Sequence, residues 1–361
     1  MKSTKRIKFG FCVYGEYQLF NVINFVSNDI EQSKKDSDLY LVGTKMQSYY
    51  DRIKRINIFN DVYLVDDVDL HEEPKLNRIV KKARFILFKR LYKELLHTTK
   101  RNEYEILVVP DNNFNFELFL KFFKHSKLYY IDDGTGSYYG DIRKRTTNKT
   151  HHYLNIALNR YEQVEKLYLN NTRICSSKIC SNYCELPAIQ DLAIYKSVFS
   201  YNQNAKMQYK ECRFIVLDNV VFGVSQTSVS LLSQYMDLIQ NYVGDTIGVR
   251  LHPRNIGEVY KNDSFRYLDP DPMWEVLCGD GLQKDIVLIV WSSTASITPK
   301  LLYNLEPYLI LLYKLVPINQ PGTEEIEKLF ELVKDEYKTD RVFIPNTKEE
   351  LIQVLQRVIK H

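Results

Sequence analysis

The sequence predicts an α/β protein built as two doubly wound domains in tandem, with a cleft between them. Three observations carry that expectation. Short apolar runs alternate with amphipathic helical patterns, the signature of parallel strands joined by crossover helices. The alternation starts twice, on either side of a less regular stretch at 151–210, and 361 residues suffice for two cores of ordinary size. Polar clusters also recur where apolar runs end, and open α/β sheets bind ligands outside the carboxyl ends of their strands.

In the first half, IKFGFCVYG reads as a strand and QLFNVINFVSND as the helix after it. SDLYLVGT followed by MQSYYDRIKRI repeats the unit, and DVYLVDD leads into a long helical pattern ending near residue 98. EILVVPDNN and KLYYIDDG are further strands with polar ends. In the second half, CRFIVLDN, TIGVRLHPR, DIVLIVWSSTAS and PYLILLYKL read as strands. SVSLLSQYMDLIQNYV, PMWEVLCGDG and TKEELIQVLQRVIK read as helices, the last opened by a capping box of Thr347 and Glu350. The expected boundaries are 1–200 for the first domain, 201–345 for the second, and 346–361 for a closing helix.

A hydrophobic content of 45% with 26% charged residues marks a soluble globular chain and excludes disordered and fibrous classes. The basic start MKSTKRIKFGFCVYGEYQ has too short an apolar run and no cleavage pattern for a signal peptide, so a cytoplasmic protein is expected. Cys175, Cys180 and Cys184 do not take the C-x2-C spacing of structural zinc. Asp-x-Asp occurs in DDVD at 66–69 and in the proline-locked DPDP at 269–272, without the further ligands magnesium needs. Neither a P-loop nor a G-x-G-x-x-G fingerprint is present, which weighs against ATPases and dinucleotide-dependent dehydrogenases.

The chemistry-bearing clusters are Asp111-Asn112-Asn113, Asp132-Asp133-Gly134, Asp218-Asn219, His252-Pro253-Arg254 and Ser292-Ser293-Thr294. His252, flanked by Arg250 and Arg254, suits anion binding, and a histidine there can offer a proton. Ser292, Ser293, Thr294 and Ser296 in WSSTAS supply hydroxyls and backbone N–H groups for a phosphate, although helix capping explains one or two of them. Of Asp132 and Asp133, one is expected to turn back onto the glycine turn and the other to face the cleft, where a carboxylate can act as a general base.

YIDDGTGS, RLHPR and WSSTAS, together with the opening strand and helix, resemble the bacterial sialyltransferases of glycosyltransferase family 52. The resemblance lies in these islands. It implies GT-B architecture, two Rossmann-like parallel-sheet domains facing a central cleft, with the acceptor side in the first domain and the CMP-sugar in the second. It implies an inverting transfer of sialic acid from CMP-sialic acid to a terminal galactose of a capsular or lipooligosaccharide glycan. No metal or other cofactor is expected. His252 then protonates or hydrogen-bonds the departing phosphate, held by Ser292, Ser293 and Thr294. Asp218, or else Asp132 or Asp133, deprotonates the acceptor hydroxyl, and Glu275 meets the ribose. Gly134, Gly136, Asn219, Pro253, Arg254 and Ser296 complete the expected donor contacts, and a homodimer is implied by the family alone.

Residues 75–101 hold ten lysines or arginines against Glu94 alone, with apolar residues at helical spacing. Such a helix fits an anionic membrane surface and equally a solvated basic face. The alternatives to sialyl transfer are a GT-B enzyme acting on another nucleotide sugar, including a UDP-sugar 2-epimerase, and a non-enzymatic basic membrane- or nucleic-acid-binding protein. A net charge of only +4 and no reader motif make nucleic acid the weakest of these.

Overall fold

A computed structural model of the chain describes residues 7–65, 104–110, 119, 123, 125–139, 164–176, 180–218, 226–252, 265–291, 293–316 and 323–360. The basic stretch 75–101, the Asp-x-Asp at 66–69 and the cluster 111–113 lie outside these residues. The chain divides into two compact units, Met1–Pro187 and Ala188–His361.

The first unit contains β1 (Phe9–Val13), β2 (Ser37–Val42), β3 (Asp61–Val65), β4 (Ile106–Val109), β5 (Lys127–Ile131), β6 (Val164–Leu169) and β7 (Tyr183–Glu185). They form one sheet in the order β3-β2-β1-β4-β5-β6-β7, with every pairing parallel. β6 and β7 arise from the stretch that looked irregular in sequence. β1, β2 and β4 are buried along their whole length, as strands covered on both faces must be. Helix α1 (Glu16–Ser27) follows β1, and two short helices, α2 (Thr44–Gln47) and α3 (Tyr50–Ile56), replace the single helix expected after β2. Phe9, Phe11 and Phe25 pack ring to ring beneath α1. Gly10 is required by close approach, because a Cβ there would lie 2.8 Å from the Tyr104 ring. That ring is fixed in turn by hydrogen bonds from its hydroxyl to Asp38 at 2.8 Å and with Tyr40 at 2.7 Å.

The second unit contains β8 (Phe214–Leu217), β9 (Ile247–Arg250), β10 (Phe265–Tyr267), β11 (Val287–Val290), β12 (Tyr308–Leu311) and β13 (Val342–Phe343). Their order is β10-β9-β8-β11-β12-β13, again all parallel. Its helices are α4 (Ala193–Val198), α5 (Gln203–Lys210), α6 (Gln226–Val243), α7 (Trp274–Gly279), α8 (Thr298–Tyr303), α9 (Thr323–Glu336) and α10 (Lys348–Lys360). At the start of α10 the Thr347 hydroxyl accepts from Glu350 N–H at 3.2 Å. The Glu350 carboxylate reaches past Thr347 to the Asn346 N–H at 2.7 Å, one residue beyond a capping box. Arg213 closes the other end, donating to the Val358 carbonyl at 2.8 Å.

Residues 188–200, expected with the first domain, are part of the second compact unit. Their anchor is Asp280, just after α7, whose carboxylate is paired with Lys196, with Lys206 at 2.6 Å and with the Tyr201 hydroxyl. Partial burial pushes this carboxyl up, but the hydrogen bonds from Lys196, Lys206 and Tyr201 outweigh it and hold its pKa at about 2. Among the described residues, no helix is long and apolar enough to cross a membrane.

Asp280→Asn should therefore destabilise the second unit by about 1–3 kcal/mol near neutral pH, measured by chemical denaturation. A depressed carboxyl stabilises the fold fully above its unfolded value of 3.8 and loses that contribution as pH falls toward about 2. The two proteins should accordingly converge in stability across that window.

Candidate functional site

In each sheet the strand order reverses once, and the crevice at that reversal is where doubly wound sheets take ligands. In the first unit it lies between β1 and β4, and in the second between β8 and β11. The candidate residues gather at the carboxyl ends of these strands and their neighbours.

In the first unit Asp132 and Asp133 follow β5, next to β4. Asp132 is wholly buried. One of its oxygens accepts from Gly134 N–H at 2.8 Å. The other accepts from the Tyr138 hydroxyl, from Asn170 Nδ2 at 2.9 Å and from Asn170 N–H at 3.3 Å. Its carbonyl accepts from Asn21 Nδ2 at 2.9 Å. Burial raises the pKa of this carboxyl above the ordinary range, while the donors from Tyr138, Gly134 and Asn170 pull it back. Gly134 makes the turn possible with φ of +99°, a conformation that L side chains rarely adopt. Gly136 sits in the 3-10 turn Thr135–Ser137 that follows.

Asp133 is half-buried and differently held. Its N–H donates to Ser137 Oγ at 2.9 Å, and its Oδ1 accepts from Gln18 Nε2 at 2.6 Å. The adjacent carboxylates thus use separate partners, Asp132 bracing the glycine turn and Asp133 standing at the rim.

Sequence reasoning missed what holds this rim. Gln18, Asn21 and Asn24 are buried polar residues three apart on α1, and they donate to Asp133, to the Asp132 carbonyl and to the Pro187 carbonyl. The signal was present in QLFNVINFV, where an amide recurs every third residue inside an otherwise apolar helix.

In the second unit Asp218 follows β8, His252 lies two residues beyond β9, and Ser293 lies three residues beyond β11. Asp218 N–H donates to the Arg250 carbonyl at 3.0 Å, and its Oδ2 accepts from His252 N–H at 3.1 Å. Asp218 is 5% exposed, whereas His252 and Ser293 are half-buried. β8 separates β9 from β11, so the strands carrying His252 and Ser293 run about 10 Å apart. The Ser293 carbonyl accepts from Ser296 N–H at 3.2 Å and Ser296 Oγ at 2.7 Å, which commits the fully buried Ser296 to building the turn. Trp274 Nε1 donates to the Ala295 carbonyl at 2.7 Å and ties α7, which carries the half-buried Glu275, to the hydroxyl loop. Tyr267 ends the neighbouring β10, 47% exposed and close enough for the Asp218 charge to act on its phenol.

Arg250 corrects the expectation of an anion-binding pair flanking His252. Its guanidinium donates to the carbonyls of Pro270 and Pro272, each at 2.9 Å, and to the Tyr209 hydroxyl. It also lies over the Trp274 ring. The positive charge is therefore used to seat the loop before α7. Asn219, Pro253, Arg254 and Ser292 lie outside the described residues, as does the side chain of Thr294. Among the described residues, no group of three histidine, cysteine or acidic side chains is placed to hold a metal.

No protein-family model matches the chain, and no curated protein matches it. Solved structures do resemble it. UDP-GlcNAc 2-epimerase from Methanocaldococcus jannaschii aligns with a TM-score of 0.55 at 11% identity, over 98% of this chain and 93% of its own. The forosaminyltransferase SpnP aligns at 0.53 and 10% identity, over 99% and 91%. Arabidopsis thaliana UGT89C1, solved with quercetin, aligns at 0.56 and 8% identity, over 99% and 90%. The fold is GT-B, two Rossmann-like parallel-sheet domains, shared by glycosyltransferases and UDP-sugar epimerases.

Asp132→Asn should cost about 1–3 kcal/mol in thermal or chemical denaturation, because an amide nitrogen facing buried donors strands at least one of them. Asp133→Asn at the half-buried rim should stay within about 0.5 kcal/mol of the parent protein.

Proposed function

We propose that this protein is a metal-independent, inverting sialyltransferase that moves sialic acid from CMP-sialic acid to a terminal galactose of a bacterial capsular or lipooligosaccharide glycan. One observation carries the reading. Asp218, His252 and Ser293 stand at the carboxyl ends of three neighbouring strands, β9-β8-β11, at the reversal of the second sheet. An imidazole and a hydroxyl on one rim suit a monophosphate leaving group, and the motifs that carry them resemble those of family 52.

In the proposed reaction the acceptor hydroxyl gives its proton to a carboxylate as its oxygen bonds to the anomeric carbon. The bond from that carbon to the phosphate of CMP breaks in the same step. His252 donates a proton or a charged hydrogen bond to the departing phosphate, and Ser292, Ser293 and Thr294 hold its other oxygens. Asp218 and Asp133 compete for the role of base. Asp218 is bonded to the His252 N–H through one carboxylate oxygen and is deeply buried. Asp133 is more open and held by a neutral amide. Glu275 on α7 would meet the ribose. Peripheral membrane contact through 75–101, a cytoplasmic location and a homodimer belong to the same reading.

The competing reading is a UDP-sugar 2-epimerase or another GT-B enzyme, favoured by the likeness to UDP-GlcNAc 2-epimerase. A thermal-shift panel in EDTA separates the two. CMP should raise the melting temperature and UDP should not, whereas the reverse order would replace sialyl transfer with UDP-sugar chemistry. In the same buffer His252→Ala should lower transfer at least about 100-fold while its melting curve stays unchanged. Asp218→Asn and Asp133→Asn, assayed side by side, identify the base as the variant that loses transfer.

A further inference from the structure

Arg250 ends β9, two residues before His252, and its backbone and side chain serve different parts of the second rim. Its carbonyl accepts from Asp218 N–H at 3.0 Å, and Asp218 Oδ2 in turn accepts from His252 N–H at 3.1 Å. Its guanidinium reaches the loop between β10 and α7, donating to the Pro270 and Pro272 carbonyls at 2.9 Å each and to the Tyr209 hydroxyl. That hydroxyl donates onward to the Asp269 carbonyl at 2.8 Å. Two prolines in Asp269–Pro272 remove N–H donors while leaving every carbonyl, so acceptors outnumber donors in this loop. A planar guanidinium with five N–H donors can serve several such acceptors at once. Trp274 follows the loop, 5.9 Å from the same guanidinium, and its Nε1 donates to the Ala295 carbonyl of the hydroxyl loop at 2.7 Å.

We infer that Arg250 is a positioning residue for the donor phosphate, setting the reach between His252 and the hydroxyl loop without itself binding the ligand. This rests on the sialyl-transfer reading. The strands that carry His252 and Ser293 run about 10 Å apart with β8 between them. A single phosphate is smaller than that gap, so the loops beyond the strand ends decide whether both sides reach it. Arg250 is where the two supports meet, one passing through Asp218 to His252 and the other through the proline loop and Trp274 to the hydroxyl loop. Holding the sheet together does not account for the side chain, because β9 pairs with β8 and β10 through backbone alone. Direct anion binding does not account for it either, because both terminal nitrogens donate to protein acceptors. The phosphate is gripped alike in the bound donor and in the departing group. A looser grip therefore weakens donor binding and leaves turnover nearly unchanged.

The test measures CMP and UDP binding by titration calorimetry in EDTA, together with KM and kcat for transfer from CMP-sialic acid to lactose. It compares the full-length protein with Arg250→Lys, Arg250→Met and Glu306→Gln. Glu306 controls for stability alone. It lies before β12, at the opposite edge of the same sheet, and accepts from Lys300 Nζ at 2.6 Å, Lys338 N–H at 2.9 Å and the Thr339 hydroxyl at 2.8 Å. Arg250→Lys keeps the charge and loses the planar fork. It should fold, and raise both the CMP dissociation constant and the KM for CMP-sialic acid about tenfold, with kcat within about twofold of the parent. Arg250→Met should weaken the donor further, with the KM for lactose unchanged in both variants. Glu306→Gln should lower the melting temperature at least as much as Arg250→Lys and bind CMP like the parent. Parental CMP affinity in a folded Arg250→Lys would overturn the inference. Equal weakening in Glu306→Gln would overturn it too, by tracing the effect to lost stability. If the parent binds UDP and not CMP, sialyl transfer fails, and the same comparison made with UDP decides the role of Arg250. If it binds neither nucleotide, both fail.

Discussion

The rim of the first sheet depends on one buried carboxylate. Asp132 sits at the end of β5 without contact to water and gathers donors from the glycine turn, from Tyr138 and from both the backbone and side chain of Asn170. A carboxylate in such a place is tolerated only because its lone pairs are used. Its cost in desolvation is offset by what it organises: the end of β5, the loop after β6 and, through its carbonyl and Asn21, the buried face of α1. Asp133 is left at the rim as a consequence, since its neighbour has taken the inward position.

The second sheet reaches a comparable end by another route. Asp218 bonds both the Arg250 carbonyl and the His252 N–H, so the loop after β9 is stitched to the end of β8. Arg250 binds the loop between β10 and α7 through the carbonyls of Pro270 and Pro272, and Trp274 ties α7 to the hydroxyl loop after β11. The segments that carry His252, Glu275 and Ser293 are each pinned by one of these bonds. A monophosphate leaving group asks for a proton donor and a few hydroxyls, and this rim offers both residue types.

The fold was legible because burial on both faces writes parallel strands as apolar runs, and FGFCV, ILVV, FIVL and VLIV are such runs. β10 and β13 were not legible: three and two residues long, they are too short to show a period. β6 was missed because Glu165 and Lys166 interrupt VEKLYL after its first residue, although its last three residues are buried. At the site, strand-end clusters stood out because polar residues interrupt apolar runs there. Arg250 reads as an anion ligand because sequence shows a charge near a histidine and cannot show the carbonyls of Pro270 and Pro272 and the Tyr209 hydroxyl that take it up. The amide stripe of α1 was passed over for a related reason: Gln18 and Asn21 look solvent-facing until the loops they bind are folded against them.

Sialyl transfer is defined by what leaves the donor. The most direct measurement is the product mass after incubating the protein with CMP-sialic acid and lactose in EDTA. Sialyl transfer yields lactose heavier by one sialyl residue, together with free CMP. Unchanged lactose and intact CMP-sialic acid, from a protein that instead consumes a UDP-sugar, would contradict it.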